Sequence, residues 1–201
     1  MFGLLLKDFK NVTASMRFYL VLLVVLLAFS VVFKNIYFYA GAITFFSIAL
    51  PISAIAYDEK DQWDKFALAA GITRKQLIGA RYVMSLVTYL PLWAIGFFFL
   101  FLPNLNGIEI LYVLFYYGGM AFLTAALILP LVFAYGVERA RAYYTVMVIF
   151  VVVLGVFVAF WVGEGNGVLL LSVFGGFMGT SVLAFACSFA VSLRIYAKKD
   201  F

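Results

Sequence analysis

Six apolar runs, each near the length that crosses a bilayer as a helix, constrain this chain more than any other feature. They cover residues 18–33, 36–57, 82–102, 108–135, 143–162 and 168–193. About 20 mostly apolar residues span the hydrocarbon core as a helix. The interiors of these runs hold no Asp, Glu, Lys or Arg. The first run is the shortest, and Arg17 and Lys34 flank it, with stems long enough to reach the headgroup level. None of the runs alternates apolar and polar residues with period two, which excludes a β-barrel. Only 11% of the residues are charged and 67% are hydrophobic. A soluble domain carries about 25% charged residues. The composition therefore excludes both a water-soluble globule and a disordered chain. The expected fold is an all-α integral membrane domain of six transmembrane helices, occupying 1–201 as one unit.

The charges orient it. With the N-terminus inside, the inner segments are 1–17, 58–81, 136–142 and 194–201. Of the 14 basic residues, all but Lys34 fall in them. This asymmetry follows the positive-inside rule and places both termini in the cytoplasm. The outer connections are short, at 34–35, 103–107 and 163–167. The net charge of +5 then reports topology and affinity for anionic lipid rather than nucleic acid. The charged segment before the first run, with no small-residue cleavage site behind that run, does not read as a signal peptide.

What is missing narrows the chemistry. There is no histidine and a single cysteine, Cys187, placed in an apolar run as a small packing residue. An internal disulfide and a conventional transition-metal site are excluded. Ionisable groups at membrane depth, usual in ion-coupled transporters, are absent. So are a Rossmann fingerprint and a phosphate-binding Gly-x4-Gly-Lys-Ser/Thr sequence. No catalytic, metal or cofactor site is expected in this chain. If it transports, the flow is downhill or another subunit supplies the energy.

Three prolines lie inside runs. Pro51, Pro91 and Pro130 each free the carbonyl four residues earlier, at Ser47, Val87 and Ala126. They are either tolerated kinks or hinges. Gly175 and Gly179 have the spacing that lets two helices approach closely, inside the chain or between copies. Aromatic residues cluster toward the outer ends of the runs, as an interfacial belt does.

The inner segment 58–81 is patterned rather than random. Trp63, Phe66, Ala67 and Ala70 fall at i, i+3, i+4 and i+7, one face of a short helix. Asp58, Glu59, Asp61 and Asp64 crowd its N-terminal half and complement the helix dipole. Gly71 stands at the place of a left-handed cap. Thr73 and Gln76 form a capping box that restarts the chain as a helix into the third run. The apolar face either lies on the membrane surface or docks into a groove on a cytoplasmic partner. At the N-terminus, Phe2, Leu5, Leu6 and Phe9 form an apolar stripe with Lys7, Asp8, Lys10 and Asn11 elsewhere. Residues 2–16 therefore read as an amphipathic helix along the inner membrane surface.

These residues carry a resemblance. The Leu-Leu-Lys-Asp-Phe opening at 5–9, the six runs and the series Tyr57-Asp-Glu-Lys, Trp63-Asp-Lys-Phe, Ile72-Thr-Arg-Lys-Gln and Ala80-Arg-Tyr resemble the six-span "type V" permease class of bacterial ABC exporters. The likeness covers the whole length. Small permeases exporting phenol-soluble modulins, which are amphipathic peptides, are among the members it resembles; others give bacteriocin self-protection. The resemblance implies a coupling helix over 58–70 that docks into a separate ATP-binding subunit. Asp58, Glu59, Lys60, Asp61, Trp63, Asp64, Phe66, Ala67 and Ala70 would contact that partner, with Trp63 and Phe66 as anchors. It further implies two ATP-binding subunits carrying ATP and Mg, a second permease copy or close paralogue, and a bacterial cell membrane. Two features depart from the class. Gly71 stands where many relatives have the proline of a Leu-Pro-x-Ser/Thr-Arg turn. Only residues 163–167 join the last two runs, where other members insert a hairpin or outer domain. The expected function is a permease dimer moving an apolar or amphipathic substrate, such as a peptide, outward. A non-transporting sensor, scaffold or immunity component with the same topology stays open at this point.

Overall fold

The computed structural model describes residues 2–102, 106–140 and 167–198, together with 142, 143, 145, 146, 149 and 153. Among the described residues every regular element is helical. Helix α1, Phe2–Val32, bends by 77° between a Gly3–Thr13 arm and an Arg17–Val32 arm. Helix α2 is Tyr37–Lys60, α3 is Trp63–Ala69 and α4 is Arg74–Gly96, continued by a 3-10 turn at Phe97–Phe101. Helix α5 is Gly107–Tyr135 and α6 is Gly167–Ala197. Four helices are long and apolar enough to cross a membrane, or five if bent α1 counts as one span. The expected fifth span, 143–162, lies almost wholly outside the described residues.

The helix ends follow local chemistry. Lys34 adopts φ 51° after α1, and the Asn35 amide donates to Ser30 O at 2.9 Å, closing the helix through a left-handed residue. Ser30 Oγ then accepts from the Tyr39 amide at 2.8 Å and ties the start of α2 to the end of α1. Leu102 is extended, the conformation imposed on a residue before proline. Asn106 caps α5 by accepting the Ile108 amide at 3.1 Å. Glu109, the one charge inside the bounds of the fourth run, sits in the first turn of α5, where the dipole favours it.

Helices α2 and α5 are the inner pair: 72% and 61% of their most apolar stretches are buried, against 22% for α6. Helix α6 packs along α5, and α2 contacts α1, α4 and α5. Adjacent glycines of α5 set two of these contacts. A Cβ at Gly118 would stand 2.7 Å from Tyr89 Oη of α4, and one at Gly119 would stand 3.1 Å from the Met178 backbone of α6. Small residues thus bring α5 against both neighbours. Among the described residues no atom lies within 4 Å of the place a Cβ would take at Gly175 or Gly179. Phe174 and Ser181 are on the side of α6 that is buried against the bundle.

The carbonyls freed by two of the prolines have partners on neighbouring helices. Ser188 Oγ donates to Ala126 O at 2.5 Å, below Pro130. Ser188 also meets Tyr82 Oη at 2.7 Å, and Tyr82 Oη meets Ser192 Oγ at 2.8 Å, which joins α4, α5 and α6. Ser85 Oγ faces Ser47 O, below Pro51, at 3.5 Å, the limit of a hydrogen bond. Near Pro91, Tyr39 Oη donates to Leu92 O at 2.6 Å. An unpaired carbonyl is costly where water is absent, so these hydroxyls offset the backbone bonds that proline removes.

Candidate functional site

The patterned segment forms a compact helical unit at the end of the bundle where the basic residues gather. Helix α2 does not stop at Tyr57 but continues to Lys60, so Asp58, Glu59 and Lys60 belong to its last turn rather than to the short helix expected over 58–70. Gln62, at φ 51°, turns the chain, and α3 starts at Trp63 with Asp64 in its first turn. Gly71, at φ +86°, ends α3. The Ile72 amide donates to Ala67 O at 3.0 Å and the Gly71 amide to Leu68 O at 3.1 Å, the paired bonds of a Schellman motif. Two residues later the Thr73–Gln76 capping box starts α4: the Gln76 amide donates to Thr73 Oγ1 at 3.3 Å, and the Thr73 amide to Gln76 Oε1 at 3.0 Å. Both ends of the connection from α3 to α4 are therefore fixed by hydrogen bonds.

The expected apolar face of α3 divides. Ala67 is fully buried and forms the floor of the contact. Trp63 is half-buried, its ring 5.3 Å from that of Phe66, with Lys7 Nζ 4.3 Å from its centroid. A cation over a tryptophan face is the favoured arrangement. Phe66 is 63% exposed, and Lys60, Asp61 and Ala70 are exposed around it. Asp64 lines a cavity of about 200 Å³ with Gln62, Phe133 and Tyr196. On the other side a cleft of about 420 Å³ separates Trp63 and Ile72 from the N-terminal arm. Helix α3 thus rests on the bundle through Ala67 and Trp63 and presents Phe66 outward.

Beneath it lies an arrangement that the sequence reading did not find. Asp8 is 1% exposed, Asp58 3% and Arg81 4%. The Arg81 guanidinium donates to both Asp8 Oδ2 and Asp58 Oδ2. Lys7 Nζ donates to Asp58 at 2.7 and 2.6 Å and approaches Asp8 Oδ1 at 3.1 Å. Two cations meet two carboxylates, so the quartet is neutral and each buried charge is paired. Burial lowers the Lys7 ammonium below its ordinary value, with the adjacent Asp8 opposing that shift. Asp8, off the N-terminal apolar stripe, faces the bundle with Val12, while Leu6 of the stripe is 59% exposed.

Glu59 also has a job inside the chain. Its Oε2 accepts the Val137 amide at 2.9 Å and caps the helical run that begins there. Gly136 makes room for it: at φ +83°, a Cβ there would stand 2.6 Å from Glu59 Oε1. Arg74, at the first turn of α4, donates to Tyr196 O and Ala197 O and so closes the C-terminal end of α6. The helix that follows α3 is thereby tied to α1, α2 and α6 by two arginines.

Among the described residues no group of histidines, cysteines or carboxylates is arranged to hold a metal ion. The segment presents an exposed aromatic on a short helix that is hydrogen-bonded into the long helices on either side.

Comparison with known proteins agrees with this. The family model described as "ABC-2 family transporter protein" matches residues 3–197. Searches of curated proteins and of solved structures each find no match. Members of that family are membrane components of transporters, not catalysts themselves, and normally work with a separate ATP-binding subunit. The match spans nearly the whole chain, every helix described above included, and the chain belongs to the ABC-2 transporter family as a multi-pass membrane permease.

Proposed function

We propose that this chain is the membrane-spanning subunit of an ATP-driven exporter, with six spans, both termini in the cytoplasm and α3 as the coupling helix. The observation that carries the reading is Phe66: an aromatic 63% exposed on a helix whose other large apolar side chains, Trp63 and Leu68, are partly buried. Buried aromatic anchors carry much of the energy of protein contacts. The ATP-binding subunit holds ATP and Mg, and two copies of it serve a dimer of this permease or a pair with a close paralogue. Nucleotide binding draws those copies together. Movement of α3 passes through the Schellman turn and the capping box into α4, which Arg74 and Arg81 couple to α6, α1 and α2. Gly175 and Gly179, open among the described residues, are available for contact with the second copy. The uncharged spans favour an apolar or amphipathic substrate such as a peptide.

The test is co-purification with the ATP-binding subunit. Phe66→Ala leaves the fold intact because Phe66 is largely exposed. It should weaken the association at least about tenfold, the scale of one hot-spot residue. Trp63 is a poorer probe, since it also holds Lys7. Association unchanged in Phe66→Ala overturns the assignment of α3. Failure of any ATP-binding subunit to associate with the wild-type chain overturns the exporter reading.

A further inference from the structure

An apolar groove of about 220 Å³ runs between both arms of α1 and the faces of α2 and α4. Phe9 of the N-terminal arm, Tyr19, Leu20 and Leu23 of the second arm, and Val87 and Pro91 of α4 line it. Its two side-chain hydroxyls are engaged within the chain: Tyr19 Oη is paired with Ser53 Oγ at 3.3 Å, and Thr88 Oγ1 donates to Met84 O and Ser85 O at 3.0 Å each. A wall so largely apolar accepts hydrocarbon. At about 220 Å³ it takes a length of acyl chain and is too small for a helical turn about 10–12 Å across. A charged border accompanies the apolar wall. Arg17 lies one helical turn before Leu20 on the same face of α1. It is exposed. Among the described residues every salt bridge lies within the Lys7–Asp8–Asp58–Arg81 quartet, so Arg17 does not join one.

We infer that this groove holds one anionic diacyl phospholipid, an acyl chain between α1 and α4 and the phosphate on Arg17. The 77° bend of α1 brings these two requirements together. The second arm follows the acyl chain while the first arm roofs it with Phe9. The lipid would brace the arm that also carries Lys7 and Asp8, and it is distinct from any transported substrate.

Native mass spectrometry of the purified full chain, titrated with phosphatidylglycerol or phosphatidylcholine, tests this. One phosphatidylglycerol should be retained at a concentration about fivefold lower than phosphatidylcholine, the preference expected from one basic residue at the membrane surface. Arg17→Gln, on an exposed residue, should equalise the two lipids, and Arg17→Lys should restore most of the preference. Lys34→Gln, at the opposite end of α1, should leave it unchanged. Leu23→Trp should lower retention of both lipids by filling the groove; Val87→Phe, at the rim, serves where the first variant does not fold. Equal binding of the two lipids by the wild type overturns the proposal. So does a preference that survives Arg17→Gln or disappears in Lys34→Gln. Groove-filling variants that keep the lipid but lose a dimer would assign the groove to a second copy of the chain and overturn it too.

Discussion

Replacing Arg81 with methionine should be among the most damaging single changes at the charged end of this protein. The guanidinium serves two carboxylates at once, Asp8 and Asp58, and all three groups are almost completely buried. In Arg81→Met one cation, Lys7, remains for both acids. Asp58 keeps its two bonds to Lys7, and Asp8 keeps only the 3.1 Å approach. The variant thus carries one uncompensated buried charge. Removing one partner of a buried ion pair costs about 3–5 kcal/mol. Methionine approximates the volume of the arginine stem, so the loss is mainly electrostatic. The second arm of the experiment is Asp8→Asn with Arg81→Met. Neutralising the orphaned acid should recover about 1–3 kcal/mol, the scale of coupling between residues in one network. The assay is equilibrium unfolding of the purified chain in mixed micelles, followed by circular dichroism. A single-variant cost below about 1 kcal/mol, or costs that simply add in the double variant, would refute the reasoning.

Two further outcomes follow from the connecting elements. Gly71→Ala should destabilise the chain by about 1–2 kcal/mol through its backbone alone, since φ is +86° and nothing lies within 4 Å of the new methyl group; the same unfolding assay reads it, and a neutral result would mean the turn relaxes freely. Ser188→Ala removes the partner of Ala126 O below Pro130 and one partner of Tyr82 Oη. It should cost about 0.6–1.7 kcal/mol, the range for hydrogen bonds between membrane helices, and Pro130→Ala in the same background should reduce that cost.

Local features of this fold were legible in the sequence, and long-range pairings were not. The spans at α2, α4, α5 and α6 could be read because about 20 apolar residues have few other uses. The ends of the connection from α3 to α4 could be read because Gly71 and Thr73-x-x-Gln76 work on their own backbone. Helix α2 runs one turn longer than its apolar run: Asp58 and Glu59 suit a helix start, yet they sit at a helix end because both have partners elsewhere. Asp58 meets Lys7 across 51 positions, Arg81 meets Asp8 across 73, and Glu59 meets Val137 across 78. Nothing local marks such pairs. A signal existed all the same for one pair, since Asp58 and Arg81 each lie at the inner edge of an apolar run and so share one depth. The glycines teach a similar point. Spacing showed that Gly175 and Gly179 could allow close contact, but contact depends on which face turns inward, and Gly118 and Gly119 hold that position in the bundle.

The central claim is that α3 is the surface through which this permease meets its ATP-binding subunit. The most direct measurement places a photo-crosslinking amino acid at position 66 of the co-expressed pair and identifies what it captures. The account predicts a crosslink to the ATP-binding subunit, with a control probe at Leu6, also exposed but on the N-terminal arm, capturing far less of it. Capture of lipid alone at position 66, while the subunit remains bound to the permease, would contradict it.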